Sequence, residues 1–175
     1  MDIPRRVLSD LVARGELIRT GRGVYVPADL DASEHHSLAT ASVRVPAGVV
    51  CLLSALRFHG LTTQNPWEVW LAISPDARKP RVDSPPLRIA RFSGGPLTEG
   101  IETHRIDGVE VRIYSAAKTV ADCFRYRNKI GLDVALEALR DGWRSRKFTA
   151  DQLWHFANVC RVATVMRPYM ESVAA

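Results

Sequence analysis

Two stretches of alternating, β-branched character, Ile101–Ile106 and Val109–Tyr114, are separated only by Asp107 and Gly108. An Asp-Gly pair tolerates the positive φ that both central residues of a type I′ turn require, so the segment is expected to close as a tight antiparallel hairpin. From Ser115 onward the period changes. Apolar residues recur every three or four positions over 116–128, 132–145, 150–160 and 162–173, with Ser115, Gly131 and Thr149 as caps or breaks. A hairpin feeding a helical cluster must lay one strand face against those helices. Further strands are expected at 67–73 and 87–92, and the proline-rich stretch 74–86 reads as an exposed loop. Helices are expected from a Ser33 cap to a stop before Pro46, and over 48–59 with Gly60 ending it. The fold class that follows is α/β (α+β), with a small, mostly antiparallel sheet, flanking helices and a C-terminal helical cluster.

The first residues form a unit of their own. Pro4 suits a first helical position, Leu8, Leu11 and Val12 repeat at helical spacing, and Gly15 stands where a left-handed residue ends a helix. Short strands at 17–19 and 24–26 then flank Gly21-Arg22-Gly23. A helix followed by a hairpin with a cation at its tip matches the recognition helix and wing of a winged helix-turn-helix, one in the major groove and one beside the backbone. Only Met1 and Asp2 precede the helix here, so Leu8, Leu11 and Val12 need a cover. Leaving them wet forfeits roughly 1.5 to 3 kcal/mol each. Either helices encoded upstream of Met1 supply that cover, or the helix packs on the rest of the chain. The expected division is a partial winged-helix segment over 1–30 and a second domain over 31–175.

Arg5, Arg6 and Ser9 lie opposite Leu8 and Leu11 and are the candidate groove contacts, with Arg22 at the tip and Arg19 on the strand as candidate phosphate contacts. A second basic surface is expected from Arg125, Arg127, Lys129, Arg144, Arg146 and Lys147. The formal charge of +5 and a pI near 9.4 favour an anionic partner.

Other chemistry finds little support. Cys51, Cys123 and Cys160 are widely spaced among apolar neighbours and read as reduced packing residues. His35, His36, His59, His104 and His155 lack paired metal-ligand spacing, and no cofactor motif is present. Asp107 and Glu110 before Arg112 are the nearest approach to a nuclease site, and that arginine cannot act as a base. Ser54 and Ser115 read as helix caps. In the helix that opens at Ser115, Lys118, Asp122, Arg125 and Arg127 are expected on the solvent side. Trp67 and Trp70 are expected on opposite strand faces, one in the core and one as an interaction anchor. With no signal-like or membrane-length apolar run, the expected location is cytoplasmic, away from the membrane.

As a string, residues 114–131 (YSAAKTVADCFRYRNKIG) resemble the C-terminal domain of the AbiEi family, the antitoxins of type IV abortive-infection toxin-antitoxin systems. The following LDVALEALRD at 132–141, RGVY at 22–25 and SALRFHGLT at 54–62 are similar to that family as well. The resemblance implies an antiviral-defence antitoxin whose winged helix binds inverted repeats in its own promoter and represses the operon. It also implies a partner toxin of nucleotidyltransferase type, counteracted without catalysis. The alternative is a protein-interaction module that neutralises a toxin without binding DNA, and a metal-dependent nuclease is a distant third.

Overall fold

The computed structural model describes residues 3–21, 23–27 and 34–175. The first described elements are α1 (Arg5–Ala13), β1 (Leu17–Gly21), β2 (Val24–Pro27), α2 (His36–Arg44), β3 (Val49–Val50) and α3 (Leu52–His59). Strands β4 (Val69–Ile73) and β5 (Leu87–Arg91) follow, then a single helical turn α4 (Gly95–Thr98), β6 (Ile101–Ile106) and β7 (Val109–Tyr114). The chain continues as α5 (Ala116–Arg125), a short α6 (Arg127–Ile130), α7 (Leu132–Arg144), α8 (Ala150–Val159) and α9 (Ala163–Ala174). The fold is mixed α/β with a C-terminal run of helices, as the sequence leads one to expect.

The strand order is β5-β4-β3-β7-β6, and the sheet is mixed rather than mostly antiparallel. The β3–β4 and β6–β7 ladders are antiparallel, whereas β3–β7 and β4–β5 are parallel. The difference follows from the connections. Asp107 (φ 48°) and Gly108 (φ 78°) both take the positive φ of a type I′ turn, so β6 returns directly into β7. Segment 74–86 instead carries the chain back along β4, so β5 starts again at the same end.

The expected helix over 48–59 also starts differently. Val49 and Val50 form the short central strand β3, Cys51 is extended, and the helix begins only at Leu52, itself at φ 46°. A single apolar run thus switches from strand to helix, and periodicity alone does not separate the two. The expected Ser33 cap lies outside the described residues.

Strand alternation sorts the core into two layers. Leu71, Ile73, Val111 and Ile113 pack with Leu38, Ala41 and Val45 from α2 and its C-terminal cap on one face. Ala72, Ala90, Phe92 and Tyr114 pack against α3, α5, α7, α8 and α9 on the other. Helix α5 is the centrepiece, with every residue from Ala116 to Phe124 buried. Its N-terminus is capped by Ser115, which accepts from the Lys118 amide, and Thr149 with Gln152 forms a capping box on α8. His36 Nδ1 lies 2.8 Å from Asp107 Oδ2, tying α2 to the β6–β7 turn, which gives that aspartate a structural role. Among the described residues, no helix is long and apolar enough to cross a membrane.

Candidate nucleic-acid interface

Pro4 precedes α1, and Gly15 (φ 73°) follows it in the left-handed conformation expected at a helix end. The helix packs on β1, which pairs antiparallel with β2 from Leu17↔Pro27 to Gly21↔Val24. Arg22 at the hairpin tip lies outside the described residues. Leu8, Leu11 and Val12 face one way and are only half-buried, and no residue of α1 is fully buried. Ile3, Val7 and Ile18 stay 53%, 45% and 52% exposed, and both core layers draw only on residues from Leu38 onward. Among the described residues, packing therefore leaves the apolar face of this helix only half-buried.

Arg5, Arg6 and Ser9 are exposed, with Ser9 one turn from both arginines. Ser9 Oγ donates to the Arg5 carbonyl at 3.0 Å, so its lone pairs rather than its proton face outward. The first turn carries no acidic residue. Two cations at the positive end of a helix are unfavourable by about 0.3 to 1 kcal/mol each, and an anion at that end reverses the sign. Arg19 is exposed on β1 opposite Tyr25.

The second set of cations is spread over several grooves and local contacts. Lys129 lines a groove of about 620 Å³ with Trp70, Arg88 and Tyr126. Arg125 lines another of about 330 Å³ with Gly94, Gly95 and Arg161, and Lys147 lines one of about 220 Å³ with His59 and Glu102. Arg127 donates to the Phe124 carbonyl at 2.8 Å, and Arg144 pairs with Asp141 at 2.6 Å. Arg146 is an exposed residue at φ 53° just after α7.

Two polar residues expected on the solvent side of α5 are in the core. Lys118 and Asp122 are both 0% exposed, and Lys118 Nζ lies 2.5 Å from Asp122 Oδ2. Their helix is enclosed by the sheet and its neighbours, so the two charges must satisfy each other. Cys160 donates to Asp122 Oδ1 at 3.2 Å, and the ammonium sits 4.0 Å from the centroid of the Tyr114 ring. Burial pushes the Asp122 carboxyl above its ordinary value, against the pull of Lys118 and Cys160. Gly100 (φ 76°) makes room for this arrangement, because a Cβ there would stand 2.8 Å from Lys118 Cβ. An i,i+4 Lys and Asp on a helix reads as a surface pair, and nothing local in the sequence distinguishes the buried case.

Ser54 is not a cap. It lies inside α3, donates to the Glu68 carbonyl at 3.4 Å and accepts from the Trp70 amide at 2.9 Å. The Cys51 amide bonds the Trp70 carbonyl, but the chain turns into α3 there, and the Ser54 hydroxyl takes the place of the missing ladder acceptor. Ser115 does cap its helix.

Trp67 precedes β4, so strand alternation does not apply to it. Its side chain is 77% exposed, whereas Trp70 is half-buried against the core. Trp143 and Trp154 pack on the core. All three cysteines are free and buried. Among the described residues, no three His, Cys, Asp or Glu side chains are placed to hold a metal ion.

Compared with models of protein families and with curated proteins, the chain matches none.

Proposed function

We propose that this chain is a DNA-binding repressor of its own operon and the antitoxin of a type IV toxin-antitoxin system, acting in the cytoplasm by binding alone. The observation that carries the DNA half is the exposed face of α1. Arg5 and Arg6 stand on the first helical turn with Ser9 one turn on, and a β-hairpin follows at once. That is a cationic helix face beside a wing, suited to base edges and phosphates in an operator with inverted repeats. The antitoxin half rests on the resemblance of residues 114–141, 22–25 and 54–62, and its partner is a nucleotidyltransferase-type toxin encoded nearby.

Fluorescence anisotropy on DNA from upstream of the gene, with unrelated DNA as control, tests the first half. Saturable binding that weakens steeply with salt is expected, and equal affinity for both DNAs contradicts specific repression. Co-expression with the product of the neighbouring gene tests the second, and failure to protect cells from its toxicity contradicts it.

Trp67 favours the second reading, an interaction module that neutralises a toxin without DNA. A tryptophan 77% exposed next to Pro66 is the kind of aromatic anchor that a protein partner covers. A stable toxin complex without any DNA binding distinguishes that reading from the first.

A further inference from the structure

The groove of about 620 Å³ beside β5 combines features that neither reading uses. Strand β5 ends the sheet, so one of its edges is open. The Pro86 carbonyl accepts from the Val69 amide and the Phe92 amide donates to the Ile73 carbonyl, so the even-numbered residues of β5 bond to β4. The main-chain groups of Leu87, Ile89 and Arg91 therefore point to the open edge. Tyr126 donates its hydroxyl to the Arg91 carbonyl at 3.3 Å, and Ile89, whose N–H and C=O point to the same edge, lines the groove.

Aromatic rings and cations complete the lining. Trp70 and Arg88 are cross-strand neighbours, and the guanidinium lies 5.4 Å from the centroid of the Trp70 ring. Glu68 holds Arg88 Nε at 3.3 Å and does not itself line the groove. Lys129 Nζ lies 5.4 Å from the centroid of the Tyr126 ring. The Arg91 guanidinium is turned away onto the carbonyls of Ser74, Pro75 and Ala77, which ties down the start of the 74–86 segment and leaves Arg88 and Lys129 as the cations of the site.

A ligand that uses all of these groups needs a flat face, a hydrogen-bonding edge and a negative charge. Free phosphate leaves the rings and the strand edge idle, and a neutral hydrophobe leaves the cations idle. We propose that the groove is a nucleotide-binding site. The base stacks on the Arg88 guanidinium beside Trp70, its edge bonds to the Ile89 N–H and C=O, and its phosphate meets Lys129 next to Tyr126. The same chemistry arises in a free nucleotide and in one nucleotide of a single-stranded RNA. None of the lining residues belongs to α1 or to the β1–β2 hairpin, so this site stands or falls apart from operator binding.

Calorimetric titration of the whole chain with AMP, with inorganic phosphate and with a short oligoadenylate tests the proposal. AMP or the oligonucleotide is expected to bind saturably, and phosphate much more weakly. Lys129→Ala is expected to weaken binding by about tenfold, as loss of one charge-assisted contact does. Ile89→Pro removes the outward N–H at a position where an edge strand tolerates proline, and is expected to weaken binding as well. Circular dichroism checks that each variant keeps its fold. Tight binding of AMP itself identifies a free nucleotide as the ligand, and binding of the oligonucleotide alone identifies an RNA strand. The proposal is overturned if neither binds saturably, if phosphate binds as tightly as AMP, or if Lys129→Ala and Ile89→Pro, both folded, bind like the wild type.

Discussion

Lys118 and Asp122 form an ion pair four residues apart on α5, Nζ to Oδ2 at 2.5 Å, with 0% and 1% of their side chains exposed. Neither charge meets solvent, so each depends on the other and on its immediate neighbours, Cys160 and the Tyr114 ring. Removing one partner strands the other as an uncompensated buried ion. Lys118→Met or Asp122→Leu alone is predicted to cost about 3 to 5 kcal/mol, and the double variant far less than the sum. Urea unfolding of the three variants measures this, and strict additivity would show that the pair is not coupled.

His59 donates from Nε2 to the Tyr114 carbonyl at 2.7 Å. Burial holds its pKa below the ordinary value of 6.5, outweighing the hydrogen bond and the charge of Glu102, which both raise it. The unfolded chain therefore binds this proton more readily than the folded one. The contribution of His59 is complete above about pH 6.5 and is lost as pH falls through the lower folded value. Stability measured from pH 7.5 down to pH 5 is predicted to fall less steeply in His59→Gln, whose amide can still donate to Tyr114. Identical slopes would remove His59 from the account.

Cys51, Cys123 and Cys160 are free, buried thiols, and burial is the first cause that pushes each of them up from the ordinary thiol value. Thiols kept protonated and away from solvent are poor nucleophiles. Titration with an aromatic disulfide reagent is expected to find these three unreactive in the native protein and reactive in denaturant. Rapid native labelling of any one would contradict the packing described.

The Ser54 hydroxyl is the acceptor for the Trp70 amide at 2.9 Å. Ser54→Ala leaves that buried N–H unpaired, at a cost of about 1 to 3 kcal/mol. Ser115→Ala removes only a helix cap and is predicted to cost about 1 kcal/mol. No loss of stability of Ser54→Ala in thermal unfolding would mean that the hydroxyl is not the acceptor on which the Trp70 amide depends.

Elements set by local rules were legible in the sequence. The Asp107-Gly108 turn, the Ser115 and Thr149 caps and the Gly15 helix end all follow from the φ or hydrogen-bond needs of those residues. What escaped the sequence depends on partners distant along the chain. The pairing of β3 with β7 makes a strand of two residues that read as helix, and the closure of helices around α5 buries a lysine and an aspartate that read as surface. The candidate contacts on α1 were legible because helical spacing places Arg5, Arg6 and Ser9 together. The groove beside β5 was not, because it joins β4 and β5 to the junction of α5 and α6.

Operator binding through α1 is the central claim, and its salt dependence is the most direct test. Each phosphate neutralised by an arginine contributes a slope of about 0.9 to the fall of log K with log salt. Affinity of the wild type and of an Arg5→Ala, Arg6→Ala variant for the upstream DNA, measured from low to physiological salt, gives the two slopes. Weaker binding by the variant is expected, with a slope shallower by about 0.9 for each arginine that meets a phosphate. Equal affinity and equal slope in a folded variant would contradict operator binding through α1.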